Sequence, residues 1–467
     1  MGAKNPSLFP SREAMERVDD FLTRELVSAN DRVARGSVVP TLNFDAFRAE
    51  LAAFDFSAPR PLDDLLRWTI AQMERGVVHM THPRYFGLFN PAPTFPALCG
   101  DRIAGAFNPQ LATWKTAPAA VEIEAHVIRA VAARAGLPAG SGGHFTSGGS
   151  EANYTATICA LTRSIPGFAS EGARAFAGPP VFYISRESHL AWIKIGLQAG
   201  IGHSAVHQVA TDGIGRMVPA ALADAVASDR AQGKVPFMIV ATAGGTAGGM
   251  IDPLKECAEV AVREGLWYHV DAAWGGAVLA SERLRGALAG IERADSVTID
   301  AHKWFAATMG CGMFLTSRSE VPPAAFHVST GYMPSHDAGS DPYLNSVQWS
   351  RRFLGLRLFL SLAAAGWDGY ARHVEHAIDM AALLERKLTT RGWRVVNDSQ
   401  AAVLCVEPPD DAADVPTIVG RVLASGRAWI SVATFEGRKV IRACITHGET
   451  SPEDVDILVE ALGAARG

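Results

Sequence analysis

Four short segments carry side chains whose types and spacing could do chemistry: FTSGGSEAN (145–153), the surroundings of His189, HVDAA (269–273) and IDAHKWF (299–305). Lys303 follows an apolar run and is flanked by His302 and Trp304. A lysine that is desolvated, or set beside another cation, can lose its proton and attack a carbonyl carbon. Asp271 stands just beyond another apolar run, at the kind of strand end where open α/β sheets bind ligands. A carboxylate there pairs with a cation or caps a helix. TSGGSEAN leads into the helical run YTATICALTRSI. Its glycines let backbone N–H groups turn toward an anion at the positive end of the helix, so Gly148, Gly149 and Ser150 could hold a phosphate. The glycine spacing is neither that of a P-loop nor that of the dinucleotide fingerprint. Singly, each segment has a plainer reading as a turn, a cap or a solvated charge. In combination they put an anion-binding turn, a His, an Asp and a Lys at separate strand ends of one sheet. That set suits pyridoxal phosphate, which needs a lysine for its aldehyde, a carboxylate for its ring nitrogen and a cradle for its phosphate.

The elements that must position these residues are legible from periodicity. Residues 11–35 carry Met15, Val18, Phe21, Leu22 and Leu26 at helical spacing, and two more helices are expected at 44–53 and after Pro61. Three helices ahead of any strand form an N-terminal arm that needs a neighbour to pack on, most simply a second copy of the chain. From about residue 120, short β-rich runs alternate with helical stretches: PVFYIS, VHQVA, PFMIVATA, LWYHVDAA, SVTIDAHKW and CGMFLTS. Continuous apolar strands between helices predict a mainly parallel sheet covered on both faces. Beyond residue 320 comes a stretch rich in Pro, Gly, Ser and Asp, read as a mobile catalytic loop over about 320–345. Long helices are expected at 351–366 and 368–391, followed by a small α+β unit. The chain thus divides into an arm over 1–95, a large α/β domain over 96–345 and a C-terminal part over 346–467.

Composition narrows the classes. The chain has 467 residues, 48% hydrophobic and 19% charged, with 43 Lys and Arg against 48 Asp and Glu for a net charge of −5. Such a balance excludes disordered and collagen-like chains and offers no dense basic stripe for nucleic acid. The six Cys lie far apart with no C-x-x-C, which reads as buried thiols in a reducing compartment. There is no HExxH and no clustered Cys/His for a metal. No apolar run is long enough to span a bilayer, and the first residues lack a secretory h-region. The expectation is a cytoplasmic protein without nucleic-acid, membrane or metal partners.

The chain resembles the group II pyridoxal-phosphate-dependent amino acid decarboxylases, the family of aromatic-L-amino-acid decarboxylase, within fold type I (aspartate aminotransferase-like). The resemblance covers nearly the whole chain and runs through HPRYFGLFNP (82–91), TSGGSEAN, HVDAAWGG, DAHKW, QWSRRF (348–353) and IRACITH. It implies that Lys303 forms the internal aldimine and that Asp271 keeps the pyridine nitrogen protonated. It implies further that His189 stacks on one ring face while Ala273 packs on the other. Gly149, Ser150 and His302 would bind the phosphate, and Thr246 would lie near the cofactor. Tyr332, in STGYMPSH, matches the family's loop Tyr and would protonate Cα of the quinonoid. The resemblance also implies a homodimer with shared active sites, so that Tyr332 would act in its own or the partner's site.

For the substrate, an L-amino acid, MTHPRYFGLFNP looks like the family's pocket wall. Phe89 is retained, while Met80 and Leu88 stand where members acting on aromatic substrates often carry Trp and Tyr. Lys115, where a small residue is expected, would suggest an acidic substrate if it faced the pocket, and Arg84 invites the same question. The reading places aromatic substrates first. Its alternatives are an acidic or other non-aromatic amino acid (aspartate, cysteine sulfinate, glutamate or diaminobutyrate), a decarboxylation-coupled aldehyde synthase, or an inactive cofactor-binding scaffold. Tyr332 in place of Phe argues against the aldehyde synthase.

Overall fold

The computed structural model describes residues 8–333 and 341–467. The amphipathic runs at the start fold as α1 (Arg12–Arg35), α2 (Phe44–Ala52) and α3 (Leu62–Gly76). Ser11 and Asn43 accept backbone N–H groups in the first turns of α1 and α2, satisfying donors that a helix start leaves open. α1 packs along α3, yet Met15, Leu26, Val27, Phe44, Leu51 and Met73 remain exposed in the single chain. A further helix, α4 (Phe95–Phe107), escaped the periodicity because its buried face is made of small residues, Ala97, Gly100 and Ala104. A Cβ on Gly100 would lie 3.0 Å from the Cα of Arg357, so the small face lets α4 approach the long helix Leu356–Thr389 closely. α5 (Pro118–Arg134) opens with proline in its first turn, where the missing N–H costs nothing.

The central sheet holds β1 (Gly142–Thr146), β2 (Pro180–Ser185), β3 (Val206–Val209), β4 (Val235–Thr242), β5 (Trp267–Asp271), β6 (Ser296–Asp300) and β7 (Gly312–Thr316). Their order is β1-β7-β6-β5-β4-β2-β3. From β3 through β6 every pairing is parallel, and β5 and β6 are buried along their whole length, as a sheet covered on both faces requires. β7 departs from the expected parallel run: it pairs antiparallel with β6 and with β1. The two reversals cancel, so β1 ends at the same sheet edge as β4, β5 and β6. From that edge α6 (Gly149–Ser164) departs, with Ala152, Ala156, Cys159 and Ala160 buried against the sheet.

The segment over 320–345 is more structured than the sequence suggests. It begins with a helical turn at Val321–Phe326 and ends in a 3-10 turn at Pro342–Leu344; residues 334–340 of the expected catalytic loop lie outside the described residues. The two expected long helices are one element, Leu356–Thr389, broken at Gly366, whose φ of 66° leaves the helical region. The C-terminal part forms an antiparallel sheet of β8 (Arg394–Val395), β9 (Val403–Glu407), β10 (Ser431–Phe435) and β11 (Arg438–Cys444), in the order β10-β11-β9-β8. β10 and β11 are joined by the two-residue loop Glu436–Gly437, both at positive φ, the conformation that matches hairpin twist. The last helix, Pro452–Ala465, opens on a reciprocal capping box between Ser451 and Asp454. No helix among the described residues is long and apolar enough to cross a membrane.

Candidate active site

At the sheet edge shared by β1, β4, β5 and β6 lies a cavity of about 300 Å³. It gathers Gly149, Ser150, His189, Thr246, Asp271, Ala273, His302 and Lys303 from separate loops, the residues the sequence marked as a cofactor set. Strand ends position them. Asp271 is the last residue of β5 and Asp300 the last of β6, with His302 and Lys303 on the turn that follows.

Asp271 is only 5% exposed and is held by neutral donors. Its Oδ2 accepts from Asn153 Nδ2 at 2.8 Å and Trp192 Nε1 at 3.2 Å, and its Oδ1 accepts from the N–H of Ala273 at 3.2 Å. Asn153 sits one turn into α6, four residues after Gly149, so both belong to one helix face. The Lys303 ammonium lies 3.0 Å from Asp300 Oδ2 and 5.7 Å from the centre of the Phe89 ring. His189 Nδ1 accepts from the N–H of Ala191 at 3.0 Å, so its neutral ring carries the proton on Nε2. Burial lowers the His189 pKa, with Asp271 opposing and Lys303 reinforcing the shift.

The turn between β1 and α6 fits a phosphate. A Cβ on Gly149 would stand 2.9 Å from Asp300 Oδ2 and 3.4 Å from the Ala273 methyl, and one on Gly148 would stand 3.3 Å from the His302 ring. Only glycines therefore bring the backbone N–H groups of the helix start close to the cavity. The buried Asp300 beside this turn has one oxygen, Oδ1, without a hydrogen-bond partner among the described residues; as a carboxylate it opposes the phosphate's charge and does not hold it. A lysine, a carboxylate held by neutral donors and a glycine turn at a helix start thus converge as pyridoxal phosphate requires.

One wall is aromatic. Phe89 stacks on Trp274 with centroids 4.3 Å apart, and Trp274 stacks on Trp304 at 4.5 Å. Behind Phe89, the guanidinium of Arg442 lies 4.7 Å from its ring centre and donates to the carbonyls of Thr246 and Gly87.

Several expected site residues are not brought into this cavity. Met80 and Leu88 are exposed: the chain turns so that His79, His82 and Phe89 face inward and their neighbours outward. Lys115 is exposed on the turn before α5, whose inward positions are Thr113 and Ala117. Arg84 lines a separate groove beside residues 36–41 and 423–427 and contacts His82. Tyr332 is 75% exposed, its ring 6.4 Å from that of Trp349. Conversely, the sequence reading overlooked Asn153, Trp192, Asp300 and Arg442. Three carried a usable signal: Asn153 by its helical spacing from Gly149, Trp192 by standing three residues after His189, and Asp300 as an acid closing an otherwise apolar strand.

A mainly parallel sheet with this cofactor set at one edge and a small antiparallel unit behind it is the architecture of the fold-type I pyridoxal-phosphate enzymes. The family model described as "Pyridoxal-dependent decarboxylase conserved domain" matches residues 52–406, and the chain belongs to that family: it is a pyridoxal-phosphate-dependent amino acid decarboxylase. The chain is 34% identical over 422 residues to cysteine sulfinic acid decarboxylase of Mus musculus, covering 85% of each. It is 28% identical over 406 residues to aromatic-L-amino-acid decarboxylase of Bacillus atrophaeus, covering 84% of this chain and 83% of that protein. The crystal structure of mouse CSAD in its apo form superposes with a TM-score of 0.91 at 27% identity, covering 98% of this chain and 99% of the other.

Proposed function

We propose that the chain decarboxylates an L-amino acid with a short acidic side chain, in the class of cysteine sulfinate or aspartate, to the amine and CO₂. The observation that carries this reading is the 34% identity over 422 residues to a cysteine sulfinic acid decarboxylase. The cavity of a single chain, about 300 Å³, stands at the bottom of the roughly 300–1,000 Å³ range of ligand pockets, which suits a short side chain. Phe89 and Trp274, stacked on each other, form an apolar wall of the cavity. The higher identity to a cysteine sulfinic acid decarboxylase than to an aromatic one supports the same reading. This reading puts the acidic alternative ahead of the aromatic substrates that the sequence places first.

Pyridoxal phosphate, when bound, supplies a carbonyl for the substrate amine and an electron sink for the charge left on Cα as CO₂ departs. Of the residues that line the cavity, Lys303 would hold the cofactor between turnovers and Asp271 would pair with its ring nitrogen. Gly149, Ser150 and His302 would hold the phosphate, Thr246 would lie near the cofactor, and His189 and Ala273 would pack on its ring. His189, neutral with its Nε2 proton, offers a hydrogen bond to the substrate without adding charge. The homodimer belongs to this proposal and is supported by the uncovered apolar residues of α1 to α4. Tyr332 remains the proposed proton donor to Cα; as it is 75% exposed and does not line the cavity of its own chain, it is proposed to act at the partner's cavity. Lys115, exposed on its turn, is likewise assigned to the substrate's acid group across the dimer. The cytoplasmic assignment rests on the free cysteines, buried apart from the partly exposed Cys99.

The test is a product assay of the holoenzyme against cysteine sulfinate, Asp, Glu, 2,4-diaminobutyrate, Tyr, Trp and dihydroxyphenylalanine, following CO₂, amine and peroxide together. CO₂ and amine from the acidic members, lost on Lys115→Met, are the expected result. Turnover of the aromatic members alone would return the substrate to the first reading. Aldehyde with peroxide would remove Tyr332 from its role.

A further inference from the structure

Behind Asp271 runs a line of buried polar groups that the decarboxylase reaction as described does not use. Trp267 Nε1 donates to Ser296 Oγ at 2.8 Å, Ser296 Oγ lies 2.8 Å from His269 Nδ1, His269 Nε2 lies 3.1 Å from Asn153 Oδ1, and Asn153 Nδ2 donates to Asp271 Oδ2 at 2.8 Å. Ser296 and His269 are fully buried, and Asn153, Trp267 and Asp271 are 3%, 4% and 5% exposed.

The two ends fix the direction of everything between them. An indole N–H only donates and a carboxylate only accepts. Asn153 must therefore turn its NH₂ to Asp271, which leaves its carbonyl oxygen toward His269. That oxygen requires a proton on His269 Nε2, so in the neutral ring Nδ1 takes the hydroxyl proton of Ser296, whose lone pair receives Trp267. Thr298 Oγ1, at 3.4 Å from His269 Nε2, is a looser neighbour of the same proton. Burial pushes the His269 pKa down to about 4, against the opposing pull of Asp271, so near neutral pH the ring is an uncharged member of the line.

We infer that His269, with Asn153 and Ser296, is a positioning residue that holds Asp271 Oδ2 in a one-way hydrogen-bond line and leaves Oδ1 as the acceptor for the cofactor's ring nitrogen. The inference rests on the proposed role of Asp271. Oδ2 already has two side-chain donors, Asn153 and Trp192, whereas among the described residues Oδ1 has only the N–H of Ala273. The carboxylate cannot rotate without losing the first pair. Because every member of the line is neutral, none competes with the ring nitrogen for the charge of Asp271. A buried carboxylate is thus aimed by dipoles alone.

The experiment compares His269→Leu, His269→Gln and Ser296→Ala holoenzymes, reading cofactor affinity, the visible absorption of the bound cofactor, and kcat separately from KM. His269→Leu is expected to weaken cofactor binding and lower kcat by about 10–100-fold, the size carried by outer-shell partners at metal sites, with substrate KM nearly unchanged and the visible band altered. His269→Gln, whose amide N–H reaches toward the Asn153 carbonyl, is expected to recover most of the loss. Ser296→Ala, a one-atom deletion that spares the packing, gives a smaller change in the same direction. Equal losses in the Leu and Gln variants with an unaltered band would reduce His269 to packing and overturn the inference, as would a Ser296→Ala enzyme identical to the parent in all readouts. Asp271→Asn, measured alongside, separates the two levels: if that variant keeps the cofactor affinity and kcat of the parent, the role of Asp271 itself is wrong, whatever the His269 variants do.

Discussion

Two carboxylates close adjacent strands of the same sheet, Asp271 on β5 and Asp300 on β6, at 5% and 2% exposure, and they are stabilised in opposite ways. Asp271 is surrounded by neutral donors. Asp300 leans on the ammonium of Lys303 and, among the described residues, leaves one oxygen without a hydrogen-bond partner. Neutral donors hold an anion whatever happens elsewhere in the site. An ion pair holds it only while the lysine nitrogen stays charged and in place, and that nitrogen is the atom proposed to bond the cofactor. Burial alone therefore says little about a carboxylate's part in the site. What matters is whether its partner can leave.

That contrast can be broken most severely at its reactive members. Lys303→Ala is expected to lower kcat by about 10⁴–10⁶-fold, as loss of a covalent group does, and Asp271→Ala by about 10²–10³-fold, as loss of a fixed electrostatic partner does. Steady-state CO₂ release on cofactor-saturated protein checks both. Equal, small losses at both positions would remove this cavity as the active site.

Acid should attack the Asp271 side through the histidine behind it. His269 and His82 are held down to about 4 and His144 to about 3, in each case first by burial. Between those values and the unfolded 6.5 the unfolded chain binds more protons, so stability rises with pH across this window and is lost as pH falls from 6.5 toward 4. At full effect the His269 and His82 shifts correspond to about 3 kcal/mol each and the His144 shift to about 5 kcal/mol. Asp252, raised to about 6 from 3.8 by burial, runs the other way and offsets about one of them over the same range. Urea unfolding of the apoprotein at stepped pH should show the net loss, reduced in His269→Gln.

The Asp300 side predicts smaller effects. Asp300→Asn keeps the shape, removes a negative charge from beside the phosphate cradle and frees Lys303. Cofactor affinity should rise by about 3–10-fold while kcat falls by a similar factor, roughly a kcal/mol in each direction. Equilibrium titration with pyridoxal phosphate beside pyridoxal, which lacks the phosphate, would show whether the gain belongs to the phosphate. Gly149→Ala is the mildest probe. Its methyl would press on Asp300 Oδ2 and should weaken cofactor binding by about 3–10-fold, an overpacking cost of about 1 kcal/mol, without touching Asp271.

The sequence made the site's centre legible because its residues stand in short contiguous segments beside strands, where type and order carry the chemistry. Lys303, Asp271, His189 and the Gly149 turn all meet in one cavity for that reason. It does not show which way a side chain on an irregular turn points, so it suggests Met80 and Leu88 as pocket wall and leaves Lys115 a conditional candidate, although all three face outward in the single chain. Nor does local pattern reveal contacts made across long separations, such as His269 with Asn153, 116 positions apart. In the fold, the parallel strands were read from their apolar runs. The reversed direction of β7 was not, since a fully buried strand carries the same signal either way. α4 was missed because small residues, not large ones, make its buried face.

Arg442 carries a consequence for the way the two sheets are joined. It belongs to β11 of the small sheet, is 2% exposed, and donates to Gly87 in the wall segment and to Thr246 at the rim of the cavity while lying on Phe89. Prying the two sheets apart would break hydrogen bonds from a charged group, each worth about 1.5–3 kcal/mol. Arg442 thus ties the small sheet to the wall and to the rim of the cavity at once, so a displacement of the small sheet is felt at both.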